Sequence, residues 1–566
     1  MAAVSSPARS LHIYLIAAAI GLLAYLIVYG PGHLLGTSAY WHMPSSDERM
    51  YMIGYRYFLS EPWHWPVFVN HGVDAPYDKS VAFLDCIPLW ALLNKAIATL
   101  IPAWRGFSEH AYLGLWHGVV YAVEPCLGVA CLRALGHRSW RTGIVTAVFF
   151  VAIPWWIARY GHAALSAHWI ELWAFYLYLR TPAGAEVPWR LGVAKLCQLT
   201  VASLVTPYHP VMSLGFFVAS LLRAGRARSV LIWLPLGLAC IGSALWFAGY
   251  FAHETTTRQW GFEVESANLL GWLIPVRSGL VGDARWIANV MGTPYQWEGY
   301  GYLGLGYLGL LALMMLHARA IVGPARRHVY LLLIAIGFGA LSLSSHVYWG
   351  SHEILRYSIP RLLHRLPDQF RSPGRFVWVP LYILIVFILH WAYSTLSSPR
   401  RFAIVVIAAL VQLADARGDW ALQSTWAHGE DPWPPRLAHG GWRALIAAHS
   451  AVAIHPTYSC IHDQSVPDLE LVSTEIEMLV SERTLPINGT YSTRPTRSCV
   501  AEEQAWPAVA LEPGTLYVLL PRATAIAHRF EVSGGSCGAF DQGSVCSANA
   551  AAITAAIAAG ILRPPE

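Results

Sequence analysis

Residues 11–29 read LHIYLIAAAIGLLAYLIVY, 19 positions without a Lys, Arg, Asp or Glu, preceded by Arg9 and closed by Gly30-Pro31-Gly32. As a helix, such a stretch is long enough to cross the roughly 30 Å hydrocarbon core of a bilayer. It is longer than a signal-peptide core and no small-x-small cleavage site follows it, so it reads as an uncleaved first span. Similar runs recur outward from it, near residues 111–135, 142–159, 162–179, 190–206, 208–223, 229–250, 300–317, 328–345, 376–392 and 402–415, which makes eleven. Of the 566 residues, 55% are hydrophobic and 13% charged, about half the charged share of an average soluble domain. That balance excludes a soluble globular protein, a disordered chain, a collagen and a small disulfide scaffold. The net charge of +5 comes without a basic patch interleaved with aromatics, which excludes a nucleic-acid partner and leaves membrane lipids as the surroundings.

The basic residues instead report topology, because Lys and Arg in short loops resist translocation. Arg133, Arg138 and Arg141 share one connection, and Arg180, Arg190 and Lys195 flank another. Arg223, Arg226 and Arg228 follow, then Arg319, Arg326 and Arg327, then Arg400 and Arg401. With Arg9 these are fifteen basic residues against one acid, Glu186, in every second connection. The expectation is a polytopic α-helical membrane protein with about 11 transmembrane helices, its N-terminus cytoplasmic and its C-terminus outside. The apolar stretch 81–101 carries Asp85 and Lys95 and breaks the alternation if it spans. It is expected as an interfacial helix within one long external loop, 31–110. Twelve spans would place Arg clusters outside. The 26 Trp and 27 Tyr, many at run ends as in Trp155-Trp156 and Trp63-His64-Trp65, read mostly as an aromatic belt.

After Asp415 the apolar periodicity stops. The expected division is a transmembrane domain over 1–420 and a small external soluble domain over 421–566. Strand-like runs (515–520, 476–480) alternate there with helix-like ones (442–449, 548–559), which predicts a mixed α/β fold. Four of the nine cysteines lie in it: Cys460, Cys499, Cys537 and Cys546. In an oxidising compartment they predict two disulfides with three pairings open, Cys537 with Cys546 across a Gly-rich loop being the favoured one. Neither a Cys-x-x-Cys metal spacing nor a phosphate-binding glycine loop is present, so no nucleotide chemistry is indicated.

Charged groups inside a bilayer are costly, so their positions carry information. Glu124 and Glu171 fall near mid-membrane, where a buried interhelical polar contact outweighs a catalytic role. The external ends of the spans are richer. The first loop offers Asp47 and Glu48 in SSDERMYMIGYRYFLSEPWHWP and Asp85 in FLDCIPLWALLNK. RYGHAALSAHW supplies Arg159, His162 and His168; TPYHP supplies His209; QWEGYGYLGLG supplies Glu298; LPDQFRSPGRF supplies Asp368, Arg371 and Arg375. A guanidinium pair can grip a phosphate bidentately and a carboxylate can take a proton from an attacking hydroxyl. Together they suit an anionic lipid headgroup.

At these residues the sequence resembles the GT-C superfamily of integral-membrane glycosyltransferases. SSDERMYMIGYRYFLSEPWHWP, SVAFLDCIPLWALLNK, RYGHAALSAHW, ANLLGWLIP, EGYGYLGLG and FRSPGRFVW are similar to a bacterial branch of that superfamily known as a domain of unknown function, over about residues 10–420. The resemblance implies inverting transfer of a sugar from a polyprenyl-phosphate carrier to a glycan, lipid or protein acceptor on the outer face of a bacterial cytoplasmic membrane, the C-terminal domain being periplasmic. It maps the early-loop acid onto Asp47 as general base, and the late Arg pair onto Arg371 and Arg375 for the donor phosphate. Glu48, Asp85, Arg159, His162, His168, His209 and Glu298 join them as substrate-binding candidates. Some relatives hold a metal through a second acid in a later external loop; this chain shows no clear equivalent, with Glu298 and Asp85 the two candidates, which leaves a divalent ion, Mg or Mn, as an optional cofactor. A lipid-linked sugar flippase and a non-catalytic membrane scaffold are the alternatives. A flippase should show internal repeats, which the two halves lack.

Overall fold

The computed structural model describes residues 7–252, 261–286, 290–317, 327–359, 369–429, 434–461 and 468–565. Asp368, Arg319 and Arg326 lie outside the described residues.

A helix lies in each of the eleven apolar runs: α1 (Pro7–Leu34), then α4 (Ala103–Ala134), α5 (Trp140–Val151), α6 (Trp169–Leu179), α7 (Trp189–Ser203), α8 (Tyr208–Ala224), α9 (Ala227–Phe247), α10 (Leu305–Met315), α11 (Val329–Ser342), α12 (Trp378–Thr395) and α13 (Pro399–His428). The first external loop holds α2 (Ser46–Ser60) and α3 (Pro88–Leu100), and the tail holds α14 (His439–Ala447), α15 (Leu469–Ser481) and α16 (Ala550–Ala558). Among the described residues, four helices are long and apolar enough to cross a membrane: Leu11–Leu34, Ala103–Ala134, Ala227–Phe247 and Pro373–Thr395. These make the chain a membrane protein. Several of the other runs are cut short by their breakers. α5 stops at Val151, before Ile153-Pro154, where the residue preceding a proline disfavours helix, and α7 stops at Ser203, before Thr206-Pro207. The eleven expected crossings thus meet four helices of full length, with α5, α10 and α11 as shorter apolar ones.

The chain forms two compact units. The first comprises residues 1–35, 114–243 and 258–429; the second comprises 36–113, 244–257 and 430–566. The sequence reading grouped 31–110 with the membrane domain, whereas in the structure 36–113 forms one compact unit with the tail.

In the first unit, α13 runs on past Asp415 to His428, although the apolar periodicity ends there. Its buried face is polar: Gln412, Asp415, Asp419 and Gln423 recur at helical spacing. Two of them satisfy the start of α10, whose first N–H groups have no partner within their own helix. The backbone N–H of Leu305 donates to Asp415 Oδ2 at 2.9 Å, and that of Gly306 to Gln412 Oε1 at 3.0 Å. A Cβ on Gly306 would lie 2.2 Å from the Ala408 carbonyl oxygen, so this helix pair approaches backbone to backbone. Glu171 and Glu124 serve as interhelical contacts. His209 Nδ1 lies 2.6 Å from Glu171 Oε1, joining α6 to α8, and Tyr382 Oη donates to Glu124 Oε1 at 2.7 Å, joining α12 to α4.

The second unit is built on a four-stranded sheet of order β5-β6-β8-β7, numbered after two short hairpins, β1 (Val69–Asn70) with β2 (Lys79–Ser80) and, in the first unit, β3 (His346–Trp349) with β4 (His352–Arg356). β5 (Ala451–His455) pairs parallel with the fully buried β6 (Thr515–Leu519); β8 (Gly543–Ser547) pairs antiparallel with β6 and with β7 (Ser536–Phe540). Cys537 faces Cys546 across β7–β8 and is bonded to it, and Cys460 is bonded to Cys499. The run 476–480, read as strand-like, lies in α15. A short apolar run fits either period, and Val472, Ile476 and Val480 here line one buried helical face.

The first loop packs onto this sheet domain through polar contacts. Arg49 Nη1 donates to Thr474 Oγ1 at 2.9 Å, Arg56 Nη1 to Ser481 Oγ at 3.0 Å and Tyr57 Oη to the Leu485 carbonyl at 2.6 Å. Ile487 bridges in parallel to both Val73 and Val452, which attaches the loop to the sheet edge. α3 is inverted for a soluble helix: Asn94 and Lys95 are buried while Leu93 and Leu100 are exposed. The Lys95 ammonium donates to the carbonyls of Phe58 and Glu61, each at 2.8 Å, closing the last turn of α2.

Candidate active site

In the second unit, Asp47 and Glu48 occupy the first turn of α2, where the helix's partial positive charge favours acids. Adjacent positions point about 100° apart on a helix. Glu48 turns inward, fully buried, accepting from Ser45 Oγ at 2.9 Å and from Tyr40 Oη, and burial pushes its carboxyl well above the ordinary range. Asp47 remains half-buried and accepts from Tyr491 Oη at 2.7 Å. The backbone N–H of Tyr491 donates to Glu477 Oε2 at 2.7 Å, and Ser473 Oγ to Glu477 Oε1 at 3.0 Å. Burial pushes the Glu477 carboxyl up to about 8 despite those two donors. Close by in the same unit, Lys79 Nζ bonds Asp74 Oδ2 at 2.6 Å and Ser492 Oγ at 2.8 Å. Asp85 closes the 3-10 turn Val81–Leu84 in the left-handed conformation, φ 52°.

In the first unit, four of the sequence-selected residues form one cluster. Arg375 grips Glu298 with two parallel bonds, Nε to Oε2 at 2.8 Å and Nη2 to Oε1 at 3.1 Å. Arg159 Nη1 adds a bond to Oε2 at 2.9 Å, and His162 Nε2 stands 3.8 Å from Oε1. Burial would raise the Glu298 carboxyl, but Arg375 and Arg159 together hold it well below the usual carboxylate range. The Arg159 guanidinium also lies over the Trp297 ring, 4.7 Å from its centroid, and donates to the Trp297 carbonyl. Two 3-10 turns, Gln296–Gly299 and Pro373–Val377, present Glu298 and Arg375. Their glycines let the turns touch: a Cβ on Gly374 would sit 2.7 Å from Gly299 Cα and 2.7 Å from the Glu265 carbonyl oxygen, and one on Gly299 would sit 2.4 Å from Ala267 Cα. That close approach accounts for Gly299 in QWEGYGYLGLG and Gly374 in FRSPGRF.

Arg371 lies beside the cluster with 41% of its side chain exposed, its Nε 3.8 Å from Glu265 Oε2, which also accepts from Ser372 Oγ. Arg375 and Arg159 are buried and paired with Glu298, so of the guanidinium pair Arg371 is the one that reaches the surface. His168 and His209 are fully buried; His168 Nδ1 lies 2.9 Å from Tyr382 Oη and His209 is held by Glu171. Both Glu298 oxygens accept from guanidinium nitrogens, so this acid, one of the two possible equivalents of the relatives' metal-linked acid, serves here as the partner of Arg375 and Arg159. Glu265, Tyr491 and Glu477 escaped the sequence reading; Glu265 stands in GFEVESANLL, directly before a stretch that was singled out.

A cavity of about 290 Å³ opens along the same wall, lined by Trp297, Trp426, Asn268, Gln296, Asp419 and Gln423 among others. Asp419 Oδ2 and Gln423 Oε1 are buried without a hydrogen-bond partner. Buried polar atoms in native proteins are nearly always satisfied, so these two oxygens on one wall are open to a donor from water or a ligand.

The family model of the Domain of unknown function (DUF6311) matches residues 18–417, and that of the DUF6311 C-terminal domain matches residues 441–548. Curated proteins give no match. Among solved structures, the archaeal oligosaccharyltransferase AglB from Archaeoglobus fulgidus, in complex with an inhibitory peptide and a dolichol-phosphate, is similar at 12% identity with a TM-score of 0.40 over 85% of this chain. The chain spans 64% of the length of that structure.

Proposed function

The chain belongs to the family of the Domain of unknown function (DUF6311), whose description assigns no activity, and we propose from its own residues that it is an inverting membrane glycosyltransferase taking a sugar from a polyprenyl-phosphate carrier. The observation that carries this reading is the cavity on the Trp297 wall. Its volume, about 290 Å³, lies at the bottom of the roughly 300–1,000 Å³ range of small-molecule sites, which suits a single sugar ring. Trp297 and Trp426 offer flat apolar faces to the C–H side of such a ring, and the orphan oxygens of Asp419 and Gln423 accept its hydroxyls. The Arg159–Glu298–Arg375 cluster then buttresses Trp297 and does not touch substrate. This narrows the sequence assignment: the charge offered to the donor phosphate is Arg371.

In the proposed reaction the acceptor hydroxyl attacks the anomeric carbon, the bond from that carbon to the phosphate oxygen breaks, and the carrier phosphate leaves with the electron pair. Asp47 takes the acceptor's proton, held in place by the Tyr491 hydroxyl. The phosphate is already a good leaving group, so neutralising it and positioning the acceptor do most of the work. Glu298 is engaged by its two arginines, and no step of the proposed reaction runs through a metal. The inverted face of α3, with Leu93 and Leu100 outward, suits the interface of the outer leaflet.

The test compares, by mass spectrometry, lipid-linked sugars and surface glycans in native cells, cells lacking the protein, and cells carrying only Asp47→Asn. Loss of one sugar unit with build-up of its lipid-phosphate donor in both altered strains supports a transferase. A lipid-linked sugar trapped uncleaved in the deletion strain but normal in Asp47→Asn cells supports a flippase, and unchanged glycans in both support a scaffold.

A further inference from the structure

Away from these residues, the end of α2 and the β1–β2 hairpin bring three metal-ligating groups together within the second unit. Glu61 closes α2, His64 follows one turn later in EPWHWP, and His71 directly follows β1. His71 Nδ1 lies 2.8 Å and His64 Nε2 3.6 Å from Glu61 Oε1, and one ligand atom from each residue lies within 4.8 Å of the others. Ligands at 2.0–2.1 Å around a tetrahedral ion stand about 3.3 Å apart, a separation these two contacts straddle.

The surroundings point the same way. His64 Nε2 is buried and has no hydrogen-bond partner. Glu61 Oε2, the oxygen left over, accepts from Asn70 Nδ2 at 2.6 Å, which fixes the carboxylate plane. Asp78 Oδ2 lies 3.8 Å from His71 Nε2, beyond hydrogen-bond reach, so the ring is flanked by a carboxylate charge on the side away from Glu61, within a small movement of the second-sphere contact that orients metal-bound imidazoles. His71 is 61% exposed in its side chain, which leaves an entry path and room for water as a fourth ligand.

We propose that Glu61, His64 and His71 bind a zinc-class divalent ion that staples the end of α2 to the β1–β2 hairpin. Two imidazoles and one carboxylate select Zn2+ over Mg2+ or Ca2+, which prefer all-oxygen sites. The site is separate from Asp47, at the opposite end of α2, and does not depend on the proposed transferase reaction.

The full chain, purified in detergent without a histidine tag and stripped with chelator, is titrated with Zn2+ and with Mg2+ while bound metal and melting temperature are read. The wild type is expected to hold one more equivalent of Zn2+ than His64→Ala or His71→Ala, and to melt higher in Zn2+ but not in Mg2+. Asp78→Asn should bind about 10-fold more weakly. His110→Ala, at an exposed histidine elsewhere in the unit, should keep the full equivalent. In chelator all variants should melt with the wild type, which separates lost binding from lost folding. Equal zinc content in wild type and both histidine variants, or no Zn2+-dependent rise in melting, overturns the proposal.

Discussion

Replacing Glu298 by Gln keeps the shape of the side chain and removes the charge on which two buried guanidinium groups converge. Arg375 loses a bidentate partner at 2.8 and 3.1 Å, and Arg159 loses its ion pair at 2.9 Å. Taking one partner from a buried ion pair costs about 3–5 kcal/mol, because the remaining charge stays desolvated. The amide oxygen can still accept one N–H, so the lower end, about 3 kcal/mol, is the expected loss. At about 2 °C per kcal/mol for a unit of this size, melting should fall by about 6 °C. Arg375→Met should cost a similar amount, since it leaves Glu298 buried with only Arg159. The pair is decided by the double variant: with a real coupling, Glu298→Gln with Arg375→Met loses clearly less than the sum of the single losses. Melting of detergent-purified protein, followed by size-exclusion recovery after heating, measures all four forms. Glu298 is held below its ordinary range, so its stabilisation is complete above about pH 4.5 and is lost only as pH falls through the lower folded value. Additive losses, or a Glu298→Gln protein that melts with the wild type, would refute the buttress.

Arg371→Ala should reduce donor turnover at least 10-fold with melting unchanged, whereas Arg375→Ala should lower melting; equal melting losses for the two would remove the distinction between phosphate group and buttress. Glu477 titrates near 8 when folded and near 4.5 when unfolded, so the unfolded chain binds fewer protons between those values and stability falls as pH rises across that window. Glu477→Gln should flatten this decline in melting scans at pH 5 and pH 8, and an unchanged slope would count against a neutral buried carboxyl. Gly374→Ala drives a methyl to within 2.7 Å of backbone atoms of Glu265 and Gly299, and should cost about 1–3 kcal/mol in melting while Gly161→Ala, with open space, costs little.

Each apolar run was visible in the sequence because hydrophobic patterning is local, and each contains a helix. The lengths were less legible. Prolines at 154 and 207 end helices that run-length reading carries further, and the polar face of Gln412, Asp415, Asp419 and Gln423 hides the second half of α13 because it is buried against other polar groups. The chemistry-bearing residues were found by type, yet their partnerships were not. Glu298 meets Arg159 across 139 residues and Arg375 across 77, and no local pattern distinguishes a guanidinium that binds phosphate from one neutralised by a buried acid. Tyr491 escaped for the same reason, since only the fold brings it to Asp47, 444 residues away.

The second unit also sets a timetable for biosynthesis. Arg49 and Tyr57 find their acceptors 422 to 428 residues later in the chain. At roughly 5–20 residues per second, the first loop waits on the order of 20–85 seconds for the segment that completes it. During that interval Arg49 and Arg56 lack their final acceptors, and the loop is open to solvent, lipid or a chaperone. A ribosome that stalls before residue 485 leaves that loop permanently without its acceptors, and proteolysis of the waiting segment becomes a read-out of whether the chain was finished.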